Sequence, residues 1–372
     1  MERATRTGRI LVAAVLALLI PATAARAATV EVRNGELRYT AAQGERNVTE
    51  ISPTQDGSQY SIYEGAASDD QKHPATLATG PGCQKDPGIV DVAHCPMAGV
   101  QHIVVSLRDL GDGLNLNGDL HVPATYSGGK GKDYFYAFAQ DQKPMTISAD
   151  GMADDGPFGR DNVQPDVEIL NGGSFADRLV MSAHGGTING YEGDDTMVGG
   201  HGSDTFNAAY VETVGLDSGA FYPQGTDSVT CGGGHDTVLA DRTDHVDKSC
   251  EVVGRDTPQG GFLFRGSGGP DRIKPPFFWD DAIVRGGGGD DLLLTPDDYG
   301  PFKLYGGSGN DRLQGSQGKQ YFSGGAGNDT IRANDGYKGF RDQVHCGPGR
   351  DRAYVDKQDL VARDCERVIV VR

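Results

Sequence analysis

Residues 306–332 consist of three consecutive nine-residue segments, GGSGNDRLQ (306–314), GSQGKQYFS (315–323) and GGAGNDTIR (324–332). All three have glycine at the first and fourth positions and an apolar residue at the eighth, and the outer two have aspartate at the sixth. We call such a segment a row and write its template as G-G-x-G-x-D-x-U-x, where U is apolar. A fixed period of this kind indicates a repeat architecture made of stacked units.

Rows recur over most of the second half of the chain. They begin at residues 128, 172, 190, 199, 222, 231, 266, 286, 306, 315, 324, 337 and 346. All of their eighth positions are apolar: Phe135, Leu179, Met197, Phe206, Val229, Val238, Ile273, Leu293, Leu313, Phe322, Ile331, Val344 and Ala353. This constancy predicts that each row ends in a short strand that sends one side chain into a shared core.

The first six residues of a row have the chemistry of a cation site. Glycine allows positive φ and close approach of the backbone, so these residues can form a turn, and the aspartate adds a carboxylate at its end. Two rows make a coil of 18 residues, so rows 18 apart stack on the same edge. Because Ca²⁺ takes six to eight oxygens and accepts carbonyls with carboxylates, we predict Ca²⁺ between stacked turns.

The best-formed site is predicted between Asp311 and Asp329, with the glycines of their two rows. Asp177 and Asp195 form a second predicted pair, while Gln320 and Gly186 at sixth positions predict half-turns without an ion. The alternative is that each aspartate only bonds its own turn. The candidate ligands are Gly306, Gly307, Gly309, Gly324, Gly325, Gly327, Asp133, Asp177, Asp195, Asp204, Asp236, Asp271, Asp291, Asp311 and Asp329.

The rows resemble the hemolysin-type (RTX) calcium-binding nonapeptide repeats, in particular those of secreted actinobacterial proteins made mostly of rows. The resemblance implies an all-β chain with a parallel β-roll from about residue 172 to 372. Toxin activity does not follow from it, because function is carried by sites and not by folds. Row spacings of 20 and 22 residues exceed one coil, so extra residues such as Pro275–Trp279 are expected to bulge out and to make ion occupancy there doubtful.

Two segments, from Asp227 and from Asp342, align at a constant offset of 115 residues. Each has a cysteine that opens a row and a second cysteine 19 residues later. Six cysteines allow 15 pairings, and this duplication favours the local ones. We expect the pairs Cys231–Cys250, Cys346–Cys365 and, by elimination, Cys83–Cys95, with the last two coils of two rolls (172–253 and 262–372) closed as caps. Zinc is the competing use of cysteine, but no CxxC pair supports it.

The part of the chain before the rolls has three predicted segments. Residues 1–27 have the arginines, apolar stretch and Ala-x-Ala end of a secretory signal, so we expect an exported protein that starts near Ala28. Residues 28–127 form a β region with a hairpin at Asn34-Gly35 and a strand over 102–107. Residues 128–171 hold the first row and an expected loop insertion, 145–171. Its aspartates 150, 154, 155 and 161 could bind an ion, but we favour the alternative that they are solvated.

The charge and the motifs of the chain narrow the range of functions that it could have. The formal net charge of -18 makes nucleic acid and anionic membranes poor partners and cations natural ones. No HExxH or GxSxG motif is present, so we expect a structural, adhesive or surface-associated protein and not an enzyme. Its expected partner is an unidentified polysaccharide or protein of a cell surface or matrix. The alternative is a polysaccharide lyase or hydrolase built on the solenoid, with the aromatic runs 134–136 and 277–279 as sugar platforms.

Overall fold

The computed structural model describes residues 27–66, 76–136, 143–209, 225–257, 261–275, 282–296, 301–334, 336 and 340–371. The predicted signal segment, apart from Ala27, and the aromatic run 277–279 lie outside the described residues. Every regular element in the described part is a β-strand, as predicted. Within that part, no helix is long and apolar enough to cross a membrane.

The first 18 strands in chain order are β1 (Ala28–Arg33), β2 (Glu36–Thr40), β3 (Asn47–Pro53), β4 (Gln59–Ala66), β5 (Leu77–Thr79), β6 (Gln84–Lys85), β7 (Val92–Pro96), β8 (His102–Ser106), β9 (Asp109–Leu110), β10 (Gly113–Leu116), β11 (Ala124–Ser127), β12 (Lys130–Gly131), β13 (Tyr134–Tyr136), β14 (Thr146–Ser148), β15 (Asn162–Val163), β16 (Ile169–Asn171), β17 (Arg178–Val180) and β18 (Thr187–Asn189). The remaining 18 are β19 (Thr196–Val198), β20 (Thr205–Asn207), β21 (Ser228–Thr230), β22 (Thr237–Ala240), β23 (His245–Val246), β24 (Val252–Asp256), β25 (Phe262–Arg265), β26 (Arg272–Ile273), β27 (Ala282–Gly288), β28 (Leu292–Leu294), β29 (Phe302–Ser308), β30 (Arg312–Gln314), β31 (Tyr321–Ala326), β32 (Thr330–Arg332), β33 (Gln343–His345), β34 (Arg352–Val355), β35 (Leu360–Val361) and β36 (Arg367–Val370).

One sheet of 17 strands runs through the described chain, and we call it the long sheet. Its pairings give the order β6-β7-β4-β3-β10-β13-β16-β18-β20-β22-β24-β25-β27-β29-β31-β33-β35. From β3 to β24 and from β25 to β35 the neighbouring strands are parallel. Parallel neighbours joined by short coils are the mark of a solenoid.

Three further sheets close the solenoid. The N-terminal sheet has the order β15-β11-β8-β2-β1-β5, the first-roll sheet β14-β17-β19-β21-β23, and the second-roll sheet β26-β28-β30-β32-β34-β36. From β25 to β36 successive strands alternate between the long sheet and the second-roll sheet, so each coil contributes one strand to each. The predicted hairpin at Asn34-Gly35 joins β1 to β2 with positive φ at both residues.

The eighth positions of the rows form the core, as predicted. Leu179, Met197 and Phe206 in the first roll and Leu313 and Ile331 in the second are at most 1% exposed. One apolar column of the long sheet also reaches back before the rows, because Leu114 of β10 is in register with Phe135 of β13. A single core therefore extends from residue 28 to residue 240, through the N-terminal region and the first roll.

The expectation of a loop insertion over residues 145–171 is wrong. The segment contains β14, β15 and β16, which pair with β17, β11 and β18. Two of its aspartates are buried and not solvated, because they supply hydrogen-bond acceptors to backbone amides. The Asp155 carboxylate accepts from the amides of Ser148 and Val163, and that of Asp161 accepts from the amide of Ala124.

The strand direction reverses between the two rolls. β24 and β25 are antiparallel, with Gly254 opposite Phe264. In β22, which pairs with β24, Val238 belongs to the first core. Its neighbour Leu239 belongs to a second core, together with Val252 and Phe264. Since adjacent residues of a strand point to opposite faces, the long sheet buries one face in the first roll and the other face in the second.

All three expected disulfides are present, Cys83–Cys95, Cys231–Cys250 and Cys346–Cys365. The last one joins the final two coils of the second roll. It does not cover the end of the core, because Val368 and Val370 of β36 are 44% and 55% exposed. The apolar side chains of β36 are thus only partly covered in the described residues.

Candidate metal centre

The row aspartates of the second roll form a continuous ladder along one edge. Each backbone amide donates to the Oδ1 atom of the aspartate one coil later. The N···Oδ1 distance is 2.9 Å for Asp271–Asp291 and Asp311–Asp329, and 2.8 Å for Asp291–Asp311 and Asp329–Asp351. The predicted pair Asp311 and Asp329 is therefore brought together. The row spacings of 20 and 22 residues do not interrupt the ladder, so the added residues leave the stacking of the turns unchanged.

The second oxygen of most of these carboxylates has no hydrogen-bond partner. The Oδ2 atoms of Asp291, Asp311, Asp329 and Asp351 are buried and unpartnered. A buried acceptor without a donor destabilises a fold by about 1–3 kcal/mol. Four such atoms in successive coils indicate that something other than a protein hydrogen bond satisfies them.

The first glycine of each row gives these oxygens their space. A Cβ atom on Gly306 would lie 2.3 Å from Asp311 Oδ2 and 2.3 Å from the carbonyl oxygen of Gly324. A Cβ on Gly324 would likewise lie 2.4 Å from Asp329 Oδ2. A carboxylate oxygen and a carbonyl oxygen from the next coil therefore converge beside each of these glycines, and any larger residue would displace them.

The second and fourth glycines bring further carbonyls between the turns. Gly307 and Gly309 have φ of 121° and 132°, and Gly325 and Gly327 have φ of 111° and 138°, which favours glycine at all four positions. A Cβ on Gly325 would lie 2.1 Å from the Gly307 carbonyl oxygen, and one on Gly327 would lie 1.8 Å from that of Gly309. The carbonyl oxygens of one turn thus lie against the glycines of the next turn, where a side chain would not fit.

This crowding of buried oxygens raises the pKa of the row aspartates. Burial, with the charges of neighbouring row aspartates adding to its effect, raises the pKa of Asp291 and of Asp329 to about 6. Burial also raises the pKa of Asp311, with the charge of Asp290 adding to it. Protons therefore compete for these oxygens near neutral pH, and a cation would take their place.

The row with Gln320 shows how an uncharged side chain fills the same space. Its Nε2 donates to the carbonyl oxygens of Ser316 (3.1 Å) and Gln317 (3.2 Å), which belong to its own turn. Its backbone amide still donates to Asp342 Oδ1 at 2.8 Å, so the ladder continues on this edge. The amide nitrogen therefore satisfies two turn carbonyls without an ion, while the Oε1 atom of Gln320 is buried and unpartnered, as the Oδ2 atoms are.

The first roll has a ladder on each edge. On one edge Asp177 donates to Asp195 and Asp195 to Asp227, both at 2.8 Å from N to Oδ1. On the other edge Asp204 donates to Asp236 at 2.8 Å. The Oδ2 atoms of Asp195 and Asp236 are unpartnered, and burial raises the pKa of Asp195 to about 8 and of Asp236 to about 6.

Asp177, Asp204 and Asp271 differ from these aspartates, because their Oδ2 atoms have hydrogen-bond donors. The Oδ2 atoms of Asp177 and Asp204 accept the backbone amides of Gly173 and Gly200, and that of Asp271 accepts the amide of Ser267. His235 of the first roll also lies 3.4 Å from Asp271 Oδ1. These three carboxylates are already satisfied by protein donors, as in the alternative that treats aspartate as a turn residue.

Asp133, the earliest candidate, belongs to a further ladder. The amide of Asp112 donates to Asp133 Oδ1 at 2.8 Å, and Asn47 donates to Asp112 Oδ1 at 2.7 Å. The Oδ2 atoms of both aspartates are buried and unpartnered. Burial raises the pKa of Asp133 to about 7 and that of Asp112 to about 8. Asp112 escaped the sequence template because its row lacks the opening glycines, although Leu114 stands at the eighth position.

Glutamates end the ladders where the aspartates stop. Glu251 and Glu366 each directly follow the second cysteine of a duplicated segment, and their Oε2 atoms accept the amides of Asp236 (2.8 Å) and Asp351 (2.9 Å). The signal was present in the duplicated sequences as a shared Cys-Glu pair, but the nine-residue template does not cover it. Asp351 lies in a recognised row and joins the ladder, although it was not among the predicted ligands.

Side chains alone do not make a metal site here. Among the described residues, no group of three or more His, Cys, Asp or Glu side chains is arranged to hold a metal ion. A cation at the row edges would therefore need backbone carbonyl oxygens to complete its ligands, which suits Ca²⁺ more than zinc. A groove of 320 Å³, lined by Asp290, Asn310 and Asn328 among others, opens this edge to solvent.

Comparison with known families agrees with this chemistry. The RTX calcium-binding nonapeptide repeat family matches residues 185–209 and 304–337, with four copies of the repeat. The second match contains the rows quoted at the outset, including those of Asp311 and Asp329. No curated protein matches the chain significantly.

Proposed function

We propose that this chain, a calcium-binding repeat protein by its RTX nonapeptide repeats, binds Ca²⁺ between stacked turns and that the ions order both rolls. The observation that carries the proposal is the run of buried, unpartnered Oδ2 atoms at Asp291, Asp311, Asp329 and Asp351. Beside Asp291, Asp311 and Asp329, a carbonyl oxygen of the next coil, which cannot donate a hydrogen bond, converges on the same space as the Oδ2 atom. A bound cation would satisfy both kinds of oxygen at once.

The residues expected to hold an ion are those of the rows that begin at 306 and 324. Asp311 and Asp329 would supply carboxylate oxygens, and the turns of Gly306–Gly309 and Gly324–Gly327 would supply carbonyls. Calcium supplies a compact double positive charge that offsets the repulsion between stacked carboxylates. Because the ligands come from successive coils, ion binding becomes folding free energy.

The test combines calorimetry with circular dichroism on the chain from Ala28 onward. We expect Ca²⁺ to bind with measurable stoichiometry, to increase β signal and to raise the melting temperature, and we expect chelator to reverse this. Mg²⁺ at the same concentration serves as the control, because its strict octahedral geometry suits a carbonyl-rich site poorly. A spectrum and melting temperature that ignore Ca²⁺ would contradict the proposal.

We further propose that the protein is exported and has a structural or adhesive role outside the cell. Three disulfides suit an oxidising compartment, and calcium is abundant there. N-terminal sequencing of protein recovered from culture medium should find a start near Ala28. For the non-catalytic role, incubation with a panel of polysaccharides should release no new sugar ends; release of such ends would favour the lyase or hydrolase alternative.

A further inference from the structure

The outward face of the second-roll sheet carries a row of arginines. Arg272, Arg312, Arg352 and Arg367 occupy one register line of the sheet, interrupted only by Leu292 and Thr330. All four are exposed, as is Arg332 in the adjacent register line. We call these five residues the basic strip.

The strip contains no compensating acid. The other outward positions of the described strands of this sheet are Leu292, Leu294, Gln314, Thr330, Tyr354 and Ile369. None of the five guanidinium groups lies within ion-pair distance of a carboxylate in the part of the chain that the structure describes. The row aspartates beside them point inward, where their carboxylates accept backbone amides.

Charge of this sign is unusual for the molecule as a whole. The chain carries a formal net charge of -18, yet this face is positive. The corresponding seventh positions of the first-roll sheet are Arg178, Thr196 and Ser228, with a single arginine. The arginines are therefore a property of the second roll and not of the row template.

The arrangement does not serve the fold. Arg352 and Arg367 are direct neighbours across β34 and β36, and like charges directly opposite destabilise a sheet. The guanidinium of Arg332 lies over the ring of Tyr354, 4.8 Å from its centroid. This contact places one guanidinium next to an exposed-face aromatic ring, a pairing that suits sugars with anionic groups.

We infer that the basic strip binds a linear acidic polysaccharide that lies along the axis of the roll. Arg272, Arg312 and Arg352 are two coils apart, or about 10 Å at the usual strand spacing. A polymer of alternating charged and neutral sugars presents anions at a comparable interval, and Tyr354 offers a ring for sugar stacking. Duplex nucleic acid fits less well, because its charge of one per about 1.7 Å would meet the strongly negative remainder of the protein.

The inference rests on the proposed function, because the strip is continuous only while the coils are stacked. It therefore requires the calcium-loaded chain. The probe is immobilised hyaluronate, with neutral dextran and duplex DNA as comparisons, in calcium-containing buffer of low ionic strength. The variant R272Q/R312Q/R352Q removes three charges from the strip. Its matched control, R265Q/R285Q/K303Q, removes three exposed charges from the outward face of the long sheet in the same roll.

We expect the wild type to bind hyaluronate over dextran, the strip variant to bind about tenfold more weakly, and the control variant to stay within about threefold. Calorimetry with Ca²⁺ alone and circular dichroism are recorded for every variant, so a failure of calcium ordering is seen separately. Equal losses in both variants, no preference over dextran, or tighter strip-dependent binding of DNA would each overturn the inference.

Discussion

Replacing Asp311 and Asp329 with asparagine should separate the two roles of the row carboxylates. In each residue Oδ1 accepts a backbone amide, and asparagine retains that oxygen. Its Nδ2 would replace the unpartnered Oδ2 next to the carbonyl of the following turn. Gln320 shows the expected outcome, since its amide donates to the carbonyls of Ser316 and Gln317.

The magnitudes follow from the burial of these atoms. Removing two buried acceptors without donors, at about 1–3 kcal/mol each, should stabilise the calcium-free D311N/D329N variant by about 2–6 kcal/mol in total. The same change removes two charged ligands, so the variant should lose the stabilisation that an ion provides, about 2.7 kcal/mol at a calcium concentration 100 times its dissociation constant. The double variant should thus be more stable than wild type in chelator and less responsive to calcium.

Urea denaturation in chelator and in calcium measures both effects, and calorimetry counts the ions. Gln320→Ala is the matched control, because Gln320 lies in the ladder of the opposite edge. It should lower stability equally with and without calcium and leave ion binding at Asp311 and Asp329 intact. The reasoning fails if D311N/D329N retains full stoichiometry and affinity, or if Gln320→Ala loses as much calcium binding.

Three further measurements address pH, turn geometry and cross-linking. Burial raises the pKa of Asp329 to about 6 from 3.8, so its contribution to calcium-free stability is full below pH 4 and is lost as the pH rises through 6; urea midpoints in chelator should fall from pH 4 to pH 8, and calcium affinity should rise over the same range. Gly306→Ala should destabilise the protein by about 1–3 kcal/mol, because its Cβ would contact oxygens at 2.3 Å, whereas Gly268→Ala meets no atom within 4 Å and should be nearly neutral in thermal melts. Replacing Cys346 and Cys365 with serine should cost about 3 kcal/mol in urea unfolding, and an unchanged midpoint would exclude a stabilising role for that disulfide.

The period of the rows was sufficient to predict the core. An apolar side chain at every eighth position can be buried only if rows stack, so Leu313, Phe322 and Ile331 could be placed inside from sequence alone. The stacking of Asp311 on Asp329 followed from the same spacing. The duplicated cysteine segments were sufficient for the disulfides, because both copies repeat the same local loop.

Other features depend on contacts between coils that no template contains. Whether an Oδ2 atom is free depends on its turn: Ser267 satisfies Asp271, and nothing equivalent satisfies Asp291. Asp155 and Asp161 appeared to lie in a solvated loop, because the strands around them are only two or three residues long. The alignment of the arginines required the actual register across rows of unequal spacing.

The change of buried face between β24 and β25 bears on where this protein can accept insertions. Extra residues at the ends of the rows, at spacings of 20 and 22, are tolerated because they leave the strand pairing in register. A single residue added between Leu263 and Phe264 would instead put the two halves of this strand out of phase, so that Phe262 and Phe264 could no longer both face the second core. Natural variation in length should therefore accumulate after the strands of the second-roll sheet, while strand β25 should keep its length.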